Sequence, residues 1–164
     1  MADLLKRTTD GDEDDMRGRF LTFQIGEEMF GIELYNVVEI VGVQPITVLP
    51  EMPDYIKGIM NLRGKIIPVM DVRFRFKKPG KEYTDKTCVI VISFGGITIG
   101  LIVDYVSEVL TIPDEDIVEK PEIRSTGSCG YIKNIGKVNN NVVLLIDCEK
   151  LLSEEQLDAV SAQL

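Results

Sequence analysis

The 164-residue chain contains no histidine, so imidazole cannot serve here as a base, a nucleophile or a metal ligand. Carboxylates, lysines and cysteines are what remain for chemistry. Two aspartates occupy matching places: Asp71 closes the apolar run Ile66-Ile-Pro-Val-Met70, and Asp147 closes Val142-Val-Leu-Leu-Ile146. A carboxylate pair can divide acid and base work, but one aspartate ending each of two equivalent runs reads better as a repeated structural cap. Asp10, Asp12 and Asp14 resemble the start of a calcium loop. That loop needs glycine where Asp15 stands and glutamate where Leu21 stands, so a solvated acidic tail is expected instead. Cys88, Cys129 and Cys148 are odd in number and lack paired spacing, so no disulfide framework is expected. Cys88 and Cys148 lie in apolar runs as small hydrophobes, and Cys129 sits in a Gly/Ser stretch with no basic neighbour to activate it. No phosphate-binding loop, nucleophile elbow or dinucleotide fingerprint is present. The chain is expected not to be an enzyme, with no catalytic residue, no metal and no cofactor; a carboxylate-based hydrolase is the reading from another class.

Binding equipment is easier to find. Asn36-Val-Val-Glu-Ile40 follows a strand-like run and carries more apolar residues than a loop should, and so does Tyr105-Val-Ser-Glu-Val109. Two roles are open for Val37, Ile40, Val106 and Val109. They line the walls of one groove suited to an amphipathic helix, or they seal a contact between two subdomains. Arg63 stands at a hairpin tip where its repeat counterpart is Asn139, so turn geometry does not demand arginine. It is either solvated or placed to hold a partner's carboxylate.

The elements that position these residues come from an internal repeat. Residues 25–40 align without gaps on 94–109, so that Gly26, Gly31, Val37 and Glu39 meet Gly95, Gly100, Val106 and Glu108. Residues 55–72 align on 131–148, with Tyr55-Ile-Lys57 on Tyr131-Ile-Lys133 and Asp71 on Asp147. The second copy needs about seven extra residues between the blocks, which Ser125-Thr-Gly-Ser-Cys-Gly130 can supply. Each first block reads as a hairpin: Phe20–Ile25 with Met29–Leu34, and Cys88–Phe94 with Ile97–Val103. Gly31 and Gly100 inside these strands suggest a bulge or a close backbone approach. Each second block is a hairpin turning at Arg63-Gly64 or Asn139-Asn140, where glycine and asparagine tolerate positive φ. Gly58 is expected to end a short helical turn begun at Pro53-Asp54. About five strands per copy suit a small closed barrel, since closure removes exposed edges.

Residues 1–18 are expected to form a flexible acidic tail, 19–85 a first barrel, 86–150 a second barrel, and 151–164 a C-terminal helix opened by the capping box Ser153-Glu-Glu-Gln156. Net charge is −9, which argues against nucleic acid or an anionic membrane as the main partner. Lys77, Lys78 and Lys81 cluster around Pro79-Gly80 and read as a solvated turn. No apolar run reaches the roughly 18–20 residues of a membrane span, and the N-terminus has no secretory signal, so the cytoplasm is expected.

The run Gly58-Ile-Met-Asn-Leu-Arg-Gly-Lys-Ile-Ile-Pro-Val-Met-Asp-Val-Arg73, preceded by Pro53-Asp-Tyr-Ile-Lys57, resembles the signature of the CheW family of bacterial chemotaxis coupling proteins. Phe30-Gly-Ile32, Val37-x-Glu39-Ile40 and Gly100-Leu-Ile-Val-Asp104-x-Val106 fit the same family. The resemblance covers roughly residues 18–152. It implies an all-β fold of two SH3-like five-stranded barrels, and an adaptor joining chemoreceptor cytoplasmic tips to the chemotaxis histidine kinase. Carried over residue by residue, the receptor-binding groove falls on Val37, Glu39, Ile40, Arg63, Cys88, Val106 and Val109. Surfaces facing the kinase regulatory domain fall on Lys57 and Gly58, and on Val118 and Ile123. Such a protein is expected to be monomeric alone and recruited to receptor arrays at the inner membrane face without inserting. The kinase's own homologous regulatory domain is the alternative.

Overall fold

The structure, a computed structural model, describes residues 16–119 and 130–152. Among these, β1 (Arg19–Ile25) and β2 (Glu28–Glu33) form one hairpin, followed through a 3-10 turn at Leu34–Asn36 by β3 (Val37–Gly42). A second hairpin, β4 (Ile56–Leu62) and β5 (Lys65–Asp71), runs into the short helix α1 (Val72–Arg75). The plan then repeats as β6 (Cys88–Phe94), β7 (Ile97–Val103), β8 (Tyr105–Thr111), a short β9 (Ile117–Glu119), β10 (Ile132–Val138), β11 (Asn141–Ile146) and α2 (Cys148–Leu152). The fold is all-β with small helices. The capping box and the helix expected beyond Leu152 lie outside the described residues, as does most of the expected tail.

Strand pairing crosses the repeat. One sheet has the order β8-β1-β2-β11-β10-β9 and the other β3-β6-β7-β5-β4. Each takes its first hairpin from one copy and its remaining strands from the other, so a boundary at 85/86 separates repeats in sequence and not sheets in space. The cause is local. An antiparallel return needs a tight turn, usually with positive φ, and neither Leu34–Asn36 nor the single bend residue Asp104 between β7 and β8 provides one. The chain runs on instead, so β3 pairs with β6 and β8 with β1. Mate for mate, the two five-strand orders are the same, and β9 is an addition to the first sheet.

The second sheet curls until its outer strands meet. Thr47, in the segment after β3, bridges Ile59 on β4, and Glu39 on β3 pairs with Arg63 at the β4–β5 turn. Strand faces alternate between two kinds of core. Val89 and Val91 of β6 face the interior of the second sheet with Met60, Ile67 and Val69, while Ile90 and Ile92 face the first sheet. Phe20, Ile112, Val143 and Leu145 fill the interior of the first sheet. The largest core lies between the sheets, where Phe23, Phe30, Ile32, Leu101, Met70 and Ile146 belong to one buried cluster. Strands buried on both faces read as near-continuous apolar runs, as β6 and β7 do.

Gly31 and Gly100 are close-approach positions. A Cβ on Gly31 would stand 3.0 Å from Leu145 and 3.1 Å from Val143, and one on Gly100 would stand 2.7 Å from Val89. Gly58 departs from expectation. The turn at Pro53–Tyr55 exists, closed by Ile56 N–H donating to the Pro53 carbonyl at 3.0 Å, but β4 has begun by Ile56 and Gly58 is a strand residue. Its φ is +146°, the β4–β5 register shifts between Ile56 and Gly58, and a Cβ would lie 2.1 Å from the Thr47 carbonyl oxygen. The glycine is required by that approach, not by a helix end.

Asp71 and Asp147 are caps. Asp71 accepts from Arg73 N–H at 3.0 Å and from the Tyr83 hydroxyl at 3.0 Å, and Asp147 accepts from Lys150 N–H at 3.3 Å. Both also donate their own N–H to the carbonyl of a paired tyrosine, Tyr55 and Tyr131 respectively. Burial pushes the Asp71 carboxyl above its ordinary value.

Candidate groove between the sheets

The resemblance-derived groove residues fall on β3, β8, the start of β6 and the β4–β5 turn. Val37, Glu39 and Ile40 lie on β3, whose register against β6 shifts between Val37 and Glu39. Val106 and Val109 lie on β8, whose register against β1 shifts at the matching place. A bulge re-aims the side chains beside it. Val37, Ile40, Cys88 and Val109 are half-buried against the core shared by the sheets, and Val106 belongs to that core with 5% exposure. Of the two roles left open by the sequence, Val106 takes the contact between sheets, while Val37, Ile40 and Val109 keep part of their surface exposed. Val38 is the exposed valine of β3, at 50%.

Glu39 and Arg63 form a two-pronged pair, Nη1 to Oε2 and Nη2 to Oε1, each at 3.0 Å. The arginine side chain is 76% exposed and the glutamate 20%. Arg63 holds φ +54°, left-handed for a residue with a Cβ, followed by Gly64 at +86°. Asn61 Oδ1 accepts from Gly64 N–H at 2.8 Å and closes the turn. Asn139 and Asn140 hold φ +48° and +67° in the matching turn. The tip geometry thus belongs to the repeat, and the guanidinium is specific to the first copy. Cys88 and Val106 share a cavity of about 300 Å³ with Asp85, Lys86 and Tyr105. Burial pushes the Cys88 thiol up, and Sγ donates to the Lys86 carbonyl at 3.2 Å, so the group is a protonated apolar surface and not a nucleophile.

The residues expected to face the kinase are dispersed over two sheets. Lys57 and Gly58 are on β4, an outer strand of the second sheet, with Lys57 Nζ 3.4 Å from the centroid of the Phe74 ring. Val118 is on β9, the outer strand of the first sheet, paired with Ile135 and exposed. Ile123 lies outside the described residues.

Two arrangements escaped the sequence reading. Asp104, the bend residue where the chain passes from one sheet to the other, receives Arg73 Nε at 2.9 Å, Arg73 Nη2 at 2.6 Å and Gly26 N–H at 2.7 Å. Burial opposes its charge, but the Arg73 and Gly26 donors prevail and hold the carboxyl below its ordinary value. Arg75 is 5% exposed, with its guanidinium 4.6 Å from the Tyr55 ring and 4.5 Å from the Tyr131 ring. It donates to the carbonyl of Leu151, its own counterpart in the repeat, at 2.9 and 3.2 Å. The available signal was the matched tyrosine pair, which marks where the two copies face each other.

Residues 19–156 match the family model described as the CheW-like domain. The chain belongs to that family. It is 40% identical over 141 residues to the chemotaxis protein CheW of Klebsiella aerogenes, covering 86% of this chain and 85% of that one. Against CheW of Bacillus subtilis, identity is 32% over 137 residues, covering 84% and 88% of the two chains. The crystal structure of the scaffolding protein TtCheW from Thermoanaerobacter tengcongensis superposes with a TM-score of 0.78 at 32% identity, covering 85% of this chain and 94% of that one. Membership in the CheW-like family fits the duplicated architecture and the Asn61-Leu-Arg-Gly64 tip. Among the described residues no cluster of histidine, cysteine, aspartate or glutamate could hold a metal ion, and no helix is long and apolar enough to cross a membrane.

Proposed function

We propose that this CheW-like chain is a non-enzymatic chemotaxis adaptor that joins chemoreceptor cytoplasmic tips to the regulatory domain of the chemotaxis histidine kinase. The observation that carries the reading is that Val37 and Ile40 of β3 and Val106 and Val109 of β8 pack on one shared core, an apolar seam bordered by the Glu39–Arg63 pair, in a chain 40% identical to a chemotaxis protein CheW. The receptor tip, an amphipathic helical segment, lies on Val37, Ile40, Cys88 and Val109, with Val106 beneath as the floor. Glu39 orients Arg63, whose exposed guanidinium faces a carboxylate on the receptor. The kinase domain meets the outer strands at Lys57, Gly58 and Val118, and also takes in Ile123, which lies outside the described residues. Signal passes as a change in relative placement and not as chemistry. Each contact is modest, about 1,000–1,600 Å², which suits an array held by many weak bonds on the inner face of the membrane.

The test is binding of the purified chain to a receptor tip fragment and to an isolated kinase regulatory domain. Arg63→Ala and Val37→Asp are the informative variants, since Val106 is too buried to change without harming the core. Loss of receptor binding with kinase binding retained supports the assignment. Binding of neither partner by the unaltered chain at low and moderate salt overturns the adaptor reading.

A further inference from the structure

A cavity of about 540 Å³ opens on the first sheet beside β8 and the β10–β11 turn. Met29, Leu110, Val138 and Val143 give it an apolar floor and also belong to that sheet's interior core. Position by position it matches the closed end of the second sheet. Glu108 is the mate of Glu39, Leu110 of Val41, Val138 of Leu62, and Asn139 of Arg63. Val41 and Leu62 line the second interior as Leu110 and Val138 line the first.

What the first sheet lacks is the guanidinium. Among the described residues no side chain pairs with Glu108, although its backbone is fixed: Thr22 Oγ1 donates to the Glu108 carbonyl at 2.7 Å and receives Glu108 N–H at 3.2 Å. Glu28, on the same rim, is already held by Lys78 at 2.7 Å. Glu108 and Glu27 are the remaining carboxylates of the rim, both exposed to solvent.

We propose that this cavity is a second anchoring point for the partner helix and takes one of its arginine or lysine side chains. The aliphatic stem covers Leu110 and Val138 and the cationic head pairs with Glu108. The partner supplies from outside the cation that Arg63 supplies from within at the matching turn of the second sheet. The inference rests on the reading of the seam as the receptor-tip site, and adds that the tip carries a basic residue next to its apolar face.

The experiment is a titration of the full chain with a purified receptor cytoplasmic-tip fragment at low and moderate salt. Glu108→Gln, Asn139→Arg, Asn139→Gly and Arg63→Ala are compared with the unaltered chain, each checked for an unchanged thermal melt. Arginine is tolerated at 139, because Arg63 holds φ +54° where Asn139 holds +48°; it would pair with Glu108 internally and fill the cavity. Glu108→Gln and Asn139→Arg are each expected to weaken tip binding about five- to twentyfold and to flatten its salt dependence. Asn139→Gly is expected to leave binding unchanged. Replacing the tip's basic residues one at a time should find one whose loss is not additive with Glu108→Gln. If Glu108→Gln and Asn139→Arg bind as the unaltered chain does while Arg63→Ala is weakened, the cavity is not an anchor and the seam reading stands. If the unaltered chain does not bind the tip, the seam reading fails and this inference falls with it.

Discussion

At the end of the seam led by β3, Arg63 reaches across to Glu39 with two contacts of 3.0 Å and ties the two outer strands of its sheet together. At the matching end led by β8, Asn139 stands in the same left-handed turn, Glu108 keeps its carboxylate without a described partner, and a cavity remains. The strands, the bulges and the turn conformation are shared, and one side chain separates a closed end from an open one. A duplication therefore fixes backbone geometry twice while leaving each copy free to specialise at its tips. The same contrast recurs at the two points where the chain changes sheet. Between β2 and β3 a three-residue 3-10 turn makes the passage, with Tyr35 exposed. Between β7 and β8 Asp104 makes it alone, held by Arg73 and Gly26.

Four tests by substitution would break or sharpen that comparison. The largest effect is expected at Gly58, whose mate is Asn134. Gly58→Val places a Cβ against the Thr47 carbonyl at a strained φ, and a loss of about 3 kcal/mol or more in denaturant unfolding is expected. Asn134→Val has no positive φ to overcome and should cost far less; equal losses would show that the mates are not distinguished by that approach. Next is Arg75→Met, which leaves the Leu151 carbonyl without its cationic donor and unstacks the two tyrosines, with an expected loss of about 2–4 kcal/mol.

Third is Asp104→Asn, expected to cost about 1–3 kcal/mol at neutral pH. The Asp104 carboxyl is depressed in the folded state, so its contribution is full above the ordinary carboxylate value near about 4 and is lost as pH falls through the lower folded value. Stability of the unaltered chain should therefore fall more steeply than that of Asp104→Asn on acidification below pH ~4, and parallel curves would contradict the assignment. The smallest effect is expected for Arg63→Ala. Its pair is mostly solvent-exposed on the arginine side, so stability should change by less than about 1 kcal/mol, even though receptor binding is expected to weaken. A large loss of stability there would mean that Arg63 acts as a structural clasp.

Much of the architecture was legible because it is written in period and punctuation. The alternation in Phe20–Ile25, the paired glycines at 95 and 96, the close-approach glycines at 31 and 100 and the capping aspartates are local signals, and each corresponds to an observed strand, turn, contact or cap. Gly58 was misread because positive φ looks alike in sequence at a helix end and in a bulged strand, and only the Thr47 carbonyl separates them. For Val106 the sequence left a groove wall and a seal between subdomains equally open, because both roles ask for the same apolar residue, and the packing of one sheet on the other buries it.

The sequence by itself determined the duplication, the strand content, the absence of histidine chemistry and the family. These depend on residue identity and short-range spacing, which the chain carries wherever it goes. Only the tertiary structure decided that the first hairpins are exchanged between copies, that Arg75 lies between Tyr55 and Tyr131, and that Arg63 meets Glu39 while Glu108 faces an open cavity. Each of those depends on which sheet a strand joins after a passage of one to three residues: the missing tight turn there forbids an antiparallel return, and the burial of both faces of β6, β7 and their partners selects where the strand goes instead.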